Sequence, residues 1–227
     1  MNDARRRPAY PAYPAYPAYP GYDVLDKRNS PSWDDATRAV IDERVGTADR
    51  PAWCNPNQWR TLRALCAVIV PQPDERARVP LAALVDRKIA SDKRDGYRNA
   101  RLPRLQDAWR IGLAALDDES RRRHRAAFAD LDEATRIGMI QALEHGALTG
   151  DAWQNMPSKL FFKERVLHDI CTTYYSHPST WSQIGFGGPA NPRGYVRMVF
   201  NRRDPWEAAE ASPGNDAHAA RENGRAR

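Results

Sequence analysis

Residues 102–116 read LPRLQDAWRIGLAAL. Leu102, Leu105, Trp109, Gly112 and Leu116 recur there at intervals of three and four, the spacing that lines apolar side chains along one face of a helix. Working upstream, Pro80 suits the first turn of a helix with Leu81, Leu84, Val85 and Ile89 inward. Before it, Trp59, Leu62, Cys66 and Ile69 share a face in a helix that Pro71 ends and Pro73 reinforces, since proline lacks the amide donor and disfavours helix before it. Earlier still, Ser32 can cap a helix with Asp34 and Asp35 in its first turn, Ala36, Val40 and Ile41 on one face, and Gly46 as the stop.

Downstream, Asp132 caps a segment to His145 with Ile137, Ile140 and Leu143 inward and Gly146 closing it. A last long helix is predicted from Ser158 to Tyr175, with Phe162, Val166, Ile170 and Tyr174 four residues apart. No stretch alternates convincingly at period two. The fold class read from these patterns is all-α, an irregular helical bundle of about six helices.

The ends have another character. Pro-Ala-Tyr repeats run from Pro8 to Tyr19, a polyproline II pattern that aligns Tyr10, Tyr13, Tyr16 and Tyr19 along one edge. Residues 177–198 read HPSTWSQIGFGGPANPRGYVRM, too rich in glycine and proline for a long element but aromatic enough for an ordered loop packed on the helices. From Asp204 the chain is polar and alanine-rich, a composition expected to be disordered. The predicted organisation is a low-complexity tail over 1–31, a single helical domain over 32–203, and a disordered tail over 204–227.

Composition narrows the class. Of 227 residues 41% are hydrophobic and 28% charged, and no run approaches the roughly 20 apolar residues that cross a bilayer. Arg5, Arg6 and Arg7 are followed by the Pro-Ala-Tyr tract rather than the apolar stretch an export signal needs, so a cytoplasmic location is expected unless a partner carries the chain outward. Cys54, Cys66 and Cys171 are odd in number and far apart, which reads as idle thiols. Net charge is +6, with basic clusters over Arg87–Arg104 and Arg121–Arg125. Acidic residues interleave with both, so solvated helix faces are the better reading and no nucleic-acid partner is expected.

Gly185, Gly187 and Gly188 look like a dinucleotide loop, but Pro189 and Pro192 bar the helix that must follow one. Tight-turn glycines are the better reading, and Gly194 and Pro192 join them as structural residues of the loop. Haem attachment would need C-x-x-C-H, which is absent. His124, His145, His168, His177 and His218 are scattered and form no metal motif. His177 next to Pro178 at a helix end caps or packs more readily than it serves as a general base. The strongest signal is the aromatic and arginine content of the loop. Tyr175, His177, Pro178, Trp181, Phe186, Arg193 and Tyr195 are candidate partner-interface residues, with local packing an equal alternative.

Four pieces in order resemble the gluconate 2-dehydrogenase subunit 3 family. They are IVPQP at Ile69–Pro73 with VPLAALVD from Val79; the helix of Trp109 and Gly112 leading to LDDES, Phe128 and Leu131; Phe161-Phe162; and YYSHP at Tyr174–Pro178 followed by IGFGGPANPRGY at Ile184–Tyr195. The resemblance spans roughly 59–198. It implies a non-catalytic accessory subunit that assists folding, assembly or export of a large flavoprotein of the glucose–methanol–choline type, often beside a c-type cytochrome subunit. It implies FAD on that partner, no cofactor on this chain, and membrane association only through partners. The family's usual twin-arginine signal is replaced here by the Pro-Ala-Tyr tract. Two alternatives stay open: a basic helical module for a polyanion, and an enzyme acting alone through His177.

Overall fold

The computed structural model describes residues 18–72, 79–93, 96–195 and 203–226. In chain order its helices are α1 (Asp35–Val45), α2 (Pro56–Ile69), α3 (Leu81–Ser91), α4 (Leu105–His124), α5 (Glu133–His145), α6 (Ser158–Phe161), a π-helical segment (Phe162–Leu167), α7 (His168–Tyr175), α8 (Pro178–Trp181) and α9 (Asp216–Asn223). Among the described residues strand pairing is limited to one bridge, Trp33 to Asn191. The all-helical expectation holds. The single domain over 32–203 does not: the chain divides into a unit of Gly46–His177 and a second one built from both chain ends, through Val45 and from Pro178.

In the Gly46–His177 unit α4 is the central element. Its Ala108, Trp109, Leu113, Ala115 and Leu116 are buried in one cluster with Leu62 and Leu65 of α2, Val85 and Ile89 of α3, and Phe161. Gly112 explains the close approach of Phe161: a Cβ at this position would stand 2.1 Å from the ring tip. The ring meets Trp109 edge-on at 5.4 Å and Trp153 at 5.9 Å, geometries that suit the aromatic quadrupoles. Cys54 and Cys66 are buried, and burial raises the pKa of both thiols, so they are packed rather than reactive groups.

Buried carboxylates stitch the elements together. Asp86 on α3 accepts the backbone N–H groups of Ala52, Trp53 and Cys54 at 2.5, 2.9 and 2.8 Å, which folds the turn before α2 onto α3. The Asn55 side chain then caps α2 in a reciprocal pairing with Gln58. Glu119 on α4 accepts Gly150 N–H at 2.8 Å and the guanidinium groups of Arg122 and Arg123. Burial opposes the charge on Glu119, but that N–H and the two arginines outweigh it and hold the carboxyl below its ordinary pKa. Arg121 pairs likewise with Asp117. The second basic cluster is thus largely neutralised by its own helix.

Asp169 on α7 is fully buried. It accepts Trp109 Nε1–H of α4 at 2.9 Å and Lys88 Nζ of α3 at 2.9 Å, with Arg165 of the π segment 3.9 Å away.

The run from Ser158 to Tyr175 is helical throughout, as predicted, but its register is not the predicted one. A π turn takes in one extra residue and shifts the faces on either side of it. Val166, Ile170 and Tyr174 are buried as expected, whereas before the bulge it is Phe161 that is fully buried and Phe162 that is half-buried. Further inward assignments fail, Ala36 on α1 among them, which is exposed. Ile137 is 40% exposed while Met139 takes the core position, and Val40 is 48% exposed. Trp59, read as core, is half-buried at the cluster's edge. The cap of α1 is Asp34, whose Oδ1 accepts Thr37 N–H at 2.8 Å; Ser32 lies in the preceding turn, and Trp33 between them bridges to Asn191.

The second unit overturns both tail assignments where they are described. Tyr22, Val24, Trp33, Ile41, Trp181 and Ala226 form its buried cluster. Residues 18–31 are therefore part of a folded unit, while residues 1–17 with most of the Pro-Ala-Tyr tract lie outside the described residues. At the other end α9 forms where disorder was expected. Asn223 is the fastener: its amide donates to Pro20 O and Ala209 O at 2.9 and 3.0 Å and accepts Ala209 N–H at 2.6 Å. Hydrogen bonding rather than an apolar stripe holds this segment, so hydrophobic periodicity could not reveal it.

Two glycines on exposed and buried helix faces should respond oppositely to alanine. At Gly138 on α5 an added Cβ meets nothing within 4 Å, so Gly138→Ala should raise stability by up to about 1 kcal/mol through helix propensity. Gly112→Ala should lower it by about 1–3 kcal/mol, because the methyl displaces the Phe161 ring. Urea denaturation of both variants checks this; a Gly112→Ala protein as stable as Gly138→Ala would contradict the packing described.

Candidate partner surface on the glycine loop

The segment from Pro178 to Tyr195 leaves α8 through a 3-10 turn at Ser182–Ile184 and reverses at Gly185. Gly185 has φ +67°, and a Cβ there would stand 2.3 Å from the Tyr19 ring, so both conformation and space demand glycine. Gly188 has φ +70° and faces Val24 and Trp181, where a Cβ would come within 3.0 Å. Trp181 is buried at 4% exposure and packs edge-on against Phe186 at 5.3 Å.

A loop without regular structure leaves carbonyl oxygens in need of donors. Here the N-terminal segment supplies them. Lys27 Nζ donates to Gly187 O at 2.7 Å, Trp33 Nε1 to Pro189 O at 2.8 Å, and Asp34 N–H to Asn191 O at 2.7 Å. Asn191 returns a bond from its amide to Asp34 Oδ2 at 2.7 Å, and the Tyr195 hydroxyl donates to Gly188 O. Val24 N–H donates to Ser182 Oγ at 3.0 Å. Of these donors Val24 and Lys27 lie in the stretch assigned to a tail on sequence grounds, whereas Trp33 and Asp34 lie at the start of the predicted helical domain. A dinucleotide loop presents N–H groups to phosphate at a helix N-terminus; this one follows a 3-10 turn, runs into Pro189 and is secured through its carbonyls.

The candidate interface residues fall into separate groups. Tyr175, 45% exposed, and His177, buried at 4%, belong to the Gly46–His177 unit; the others belong to the second unit. Within the latter Pro178 and Trp181 are buried, whereas Phe186 and Tyr195 are 45% and 43% exposed. Arg193 stacks over the Trp206 ring at 4.4 Å. Of the loop-structural residues, Gly187 and Gly188 are buried, Gly185 and Gly194 half-buried, and Pro192 exposed. Sequence reasoning missed Ile184, 46% exposed beside Phe186, and the donors Lys27 and Trp33. A single lysine gives no sequence signal of burial; its partner lies 160 positions away. Among the described residues no three His, Cys, Asp or Glu gather as a metal-binding set, and no helix is long and apolar enough to cross a membrane.

Lys27 is fully buried, and burial lowers its pKa from 10.5 to about 8, opposed by Glu207 and aided by Arg193. Burial likewise raises the Tyr195 hydroxyl, with Glu207 and Asp204 adding to the effect. For Lys27 the folded pKa lies below the unfolded one, so between about pH 8 and 10.5 the unfolded chain binds more protons and folding gains stability as pH rises. Stability of the wild type relative to Lys27→Met should therefore improve by about 2 kcal/mol between pH 7 and 10. Taking the difference cancels the cysteines and tyrosines common to both proteins. Paired denaturation curves at the two pH values measure it, and a constant difference would refute the buried amine.

The geometry thus consists of a helical unit with buried carboxylate ties and a pinned glycine loop, the pieces on which the resemblance rested. A family model described as gluconate 2-dehydrogenase subunit 3 matches residues 56–188, more than half of the chain. Neither the curated proteins nor the solved structures give a significant match. The matched span begins at the first residue of α2, runs through the rest of the Gly46–His177 unit, and ends at Gly188 in the loop. The family's description is that of one subunit of a larger dehydrogenase complex, which implies partner subunits. The chain belongs to the gluconate 2-dehydrogenase subunit 3 family.

Proposed function

We propose that this chain is a non-catalytic accessory subunit that binds a large FAD-dependent sugar or sugar-acid dehydrogenase of the glucose–methanol–choline type and assists its folding, assembly or export. The observation that carries the reading is the family match across α2 to Gly188. The loop supports it. Ile184, Phe186 and Tyr195 are exposed apolar or aromatic side chains on a backbone that is hydrogen-bonded in place, so little conformational entropy would be lost on docking. FAD is then expected on the large subunit, with electrons passing onward to a c-type cytochrome where one is present. His177, buried at 4%, is poorly placed to meet a substrate, which favours the accessory role over a stand-alone enzyme.

Co-expression with the large flavoprotein tests the reading. The co-purified complex should carry flavin absorption and the isolated chain none. Phe186→Ala should reduce capture of the large subunit about thirtyfold, equivalent to about 2 kcal/mol, with only a small drop in the melt, since the ring is 45% exposed and has one edge-on contact with Trp181. Trp181→Ala should instead lower stability by about 3–5 kcal/mol, as truncation of a buried aromatic does. Normal capture by Phe186→Ala would remove the loop as the docking surface, and failure of the wild type to capture the flavoprotein would remove the reading itself.

A further inference from the structure

Helix α4 starts against the usual rules. Its N-cap is Arg104, whose side chain makes no cap hydrogen bond. Ser, Thr, Asp and Asn are preferred at that place because they accept the free N–H groups of the first turn, and a cation there opposes the positive end of the helix dipole. At 20 residues α4 is the longest of the described helices.

Arg104 also lines a cavity of about 330 Å³ within the Gly46–His177 unit, together with Lys93, Arg98, Arg165, Tyr97 and Asp92. Among the described residues the lining holds four cations and one carboxylate. The base of the cavity is the unusual part. Arg165 is only 7% exposed, sits in the π-helical segment, and stands 3.9 Å from Asp169, a carboxylate that also serves Lys88 at 2.9 Å and the Trp109 indole. Arg98 donates to Leu102 O, and among the described residues neither Lys93 nor Arg104 forms an ion pair. The second basic cluster, on the far end of the same helix, is matched by Asp117, Asp118 and Glu119.

We propose that the cavity is a binding site for a small dianionic oxyanion, a phosphate group, free or on a small molecule. The guanidinium groups of Arg98 and Arg104 and the Lys93 ammonium approach it from the mouth and Arg165 from the base. The free N–H groups of the first turn of α4 complete the set. Planar guanidinium forks match the oxygen spacing of phosphate, and an uncapped helix N-terminus supplies further donors. Bound phosphate would cap α4 in place of the absent side chain and offset the repulsion among Lys93, Arg98 and Arg104.

The full chain is melted in low-salt buffer with inorganic phosphate, with a phosphate monoester such as glycerol phosphate, or with chloride at matched ionic strength. Phosphate should raise the melting temperature saturably and chloride should not. Tighter binding of the ester than of inorganic phosphate assigns the site to a phosphorylated small molecule, and equal binding assigns it to the free anion. Arg104→Ser should have two effects of opposite sign: a higher melt without phosphate, because serine caps the helix, and at least a tenfold loss of phosphate affinity. Arg98→Ala should weaken binding similarly, whereas Arg87→Ala, exposed on α3, should not. No saturable difference between phosphate and chloride, or unaltered affinity in Arg104→Ser, would overturn the proposal.

Discussion

A carboxylate taken wholly out of water must find donors or cations within reach, or it will not stay charged. Asp169 meets that requirement with groups from separate elements: Lys88 from α3, the Trp109 indole from α4, and Arg165 from the π segment that leads into its own helix. The consequence is positional. If α3 or α4 slid along α7 by one turn, a buried charge would lose its partner, so one residue sets the register of three helices. The aromatic stack follows from that register. Trp109 is fixed by its indole bond, Phe161 packs on Trp109, and Gly112 leaves the space that the ring occupies.

The same π segment links this constraint to the proposed anion site. Without the extra residue, Phe161 and Asp169 would not face the core on the same helical run, and Arg165 would not lie between the buried pair and the cavity at the start of α4. π-Bulges are frequent at functional sites because the inserted residue re-aims side chains that a regular helix would turn away. Here Arg165 shares one carboxylate with a lysine on one side and lines a cation-rich cavity on the other.

The second unit solves a different problem by different means. Its loop offers carbonyl groups without a ladder, and it is secured by a buried lysine, an indole and a backbone amide from the N-terminal segment. The family match ends at Gly188, within that loop, while Lys27, Trp33 and Asp34 lie before its first residue. Lys27 reaches Gly187 inside the matched span, whereas Trp33 and Asp34 bond Pro189 and Asn191 just beyond it. Ile184, Phe186 and Tyr195 remain exposed on that loop, and the proposed docking rests on them.

Apolar periodicity alone determined the helical class and most element limits. Pro71, Pro80, Asp132 and Gly146 mark helix ends by local chemistry, and the three-four spacing around Trp109 identified the central helix, because both signals act over a few residues. The sequence also pointed to an ordered aromatic loop after His177, which in the structure begins with the short helix α8 and is described as far as Tyr195. Only the tertiary structure decided what depends on distant partners. The π turn moved Phe161 rather than Phe162 into the core, since its extra residue leaves no mark in the spacing of a helix. Met139 displaced Ile137 because the core's position around α5, not hydrophobicity, chooses the buried face. Lys27 became a buried donor through a carbonyl 160 positions away, and Asn223 fastened a polar segment to Pro20 and Ala209. A hydrogen bond between residues so far apart has no local signature, so the segments it folds read as tails until the chain is closed upon itself.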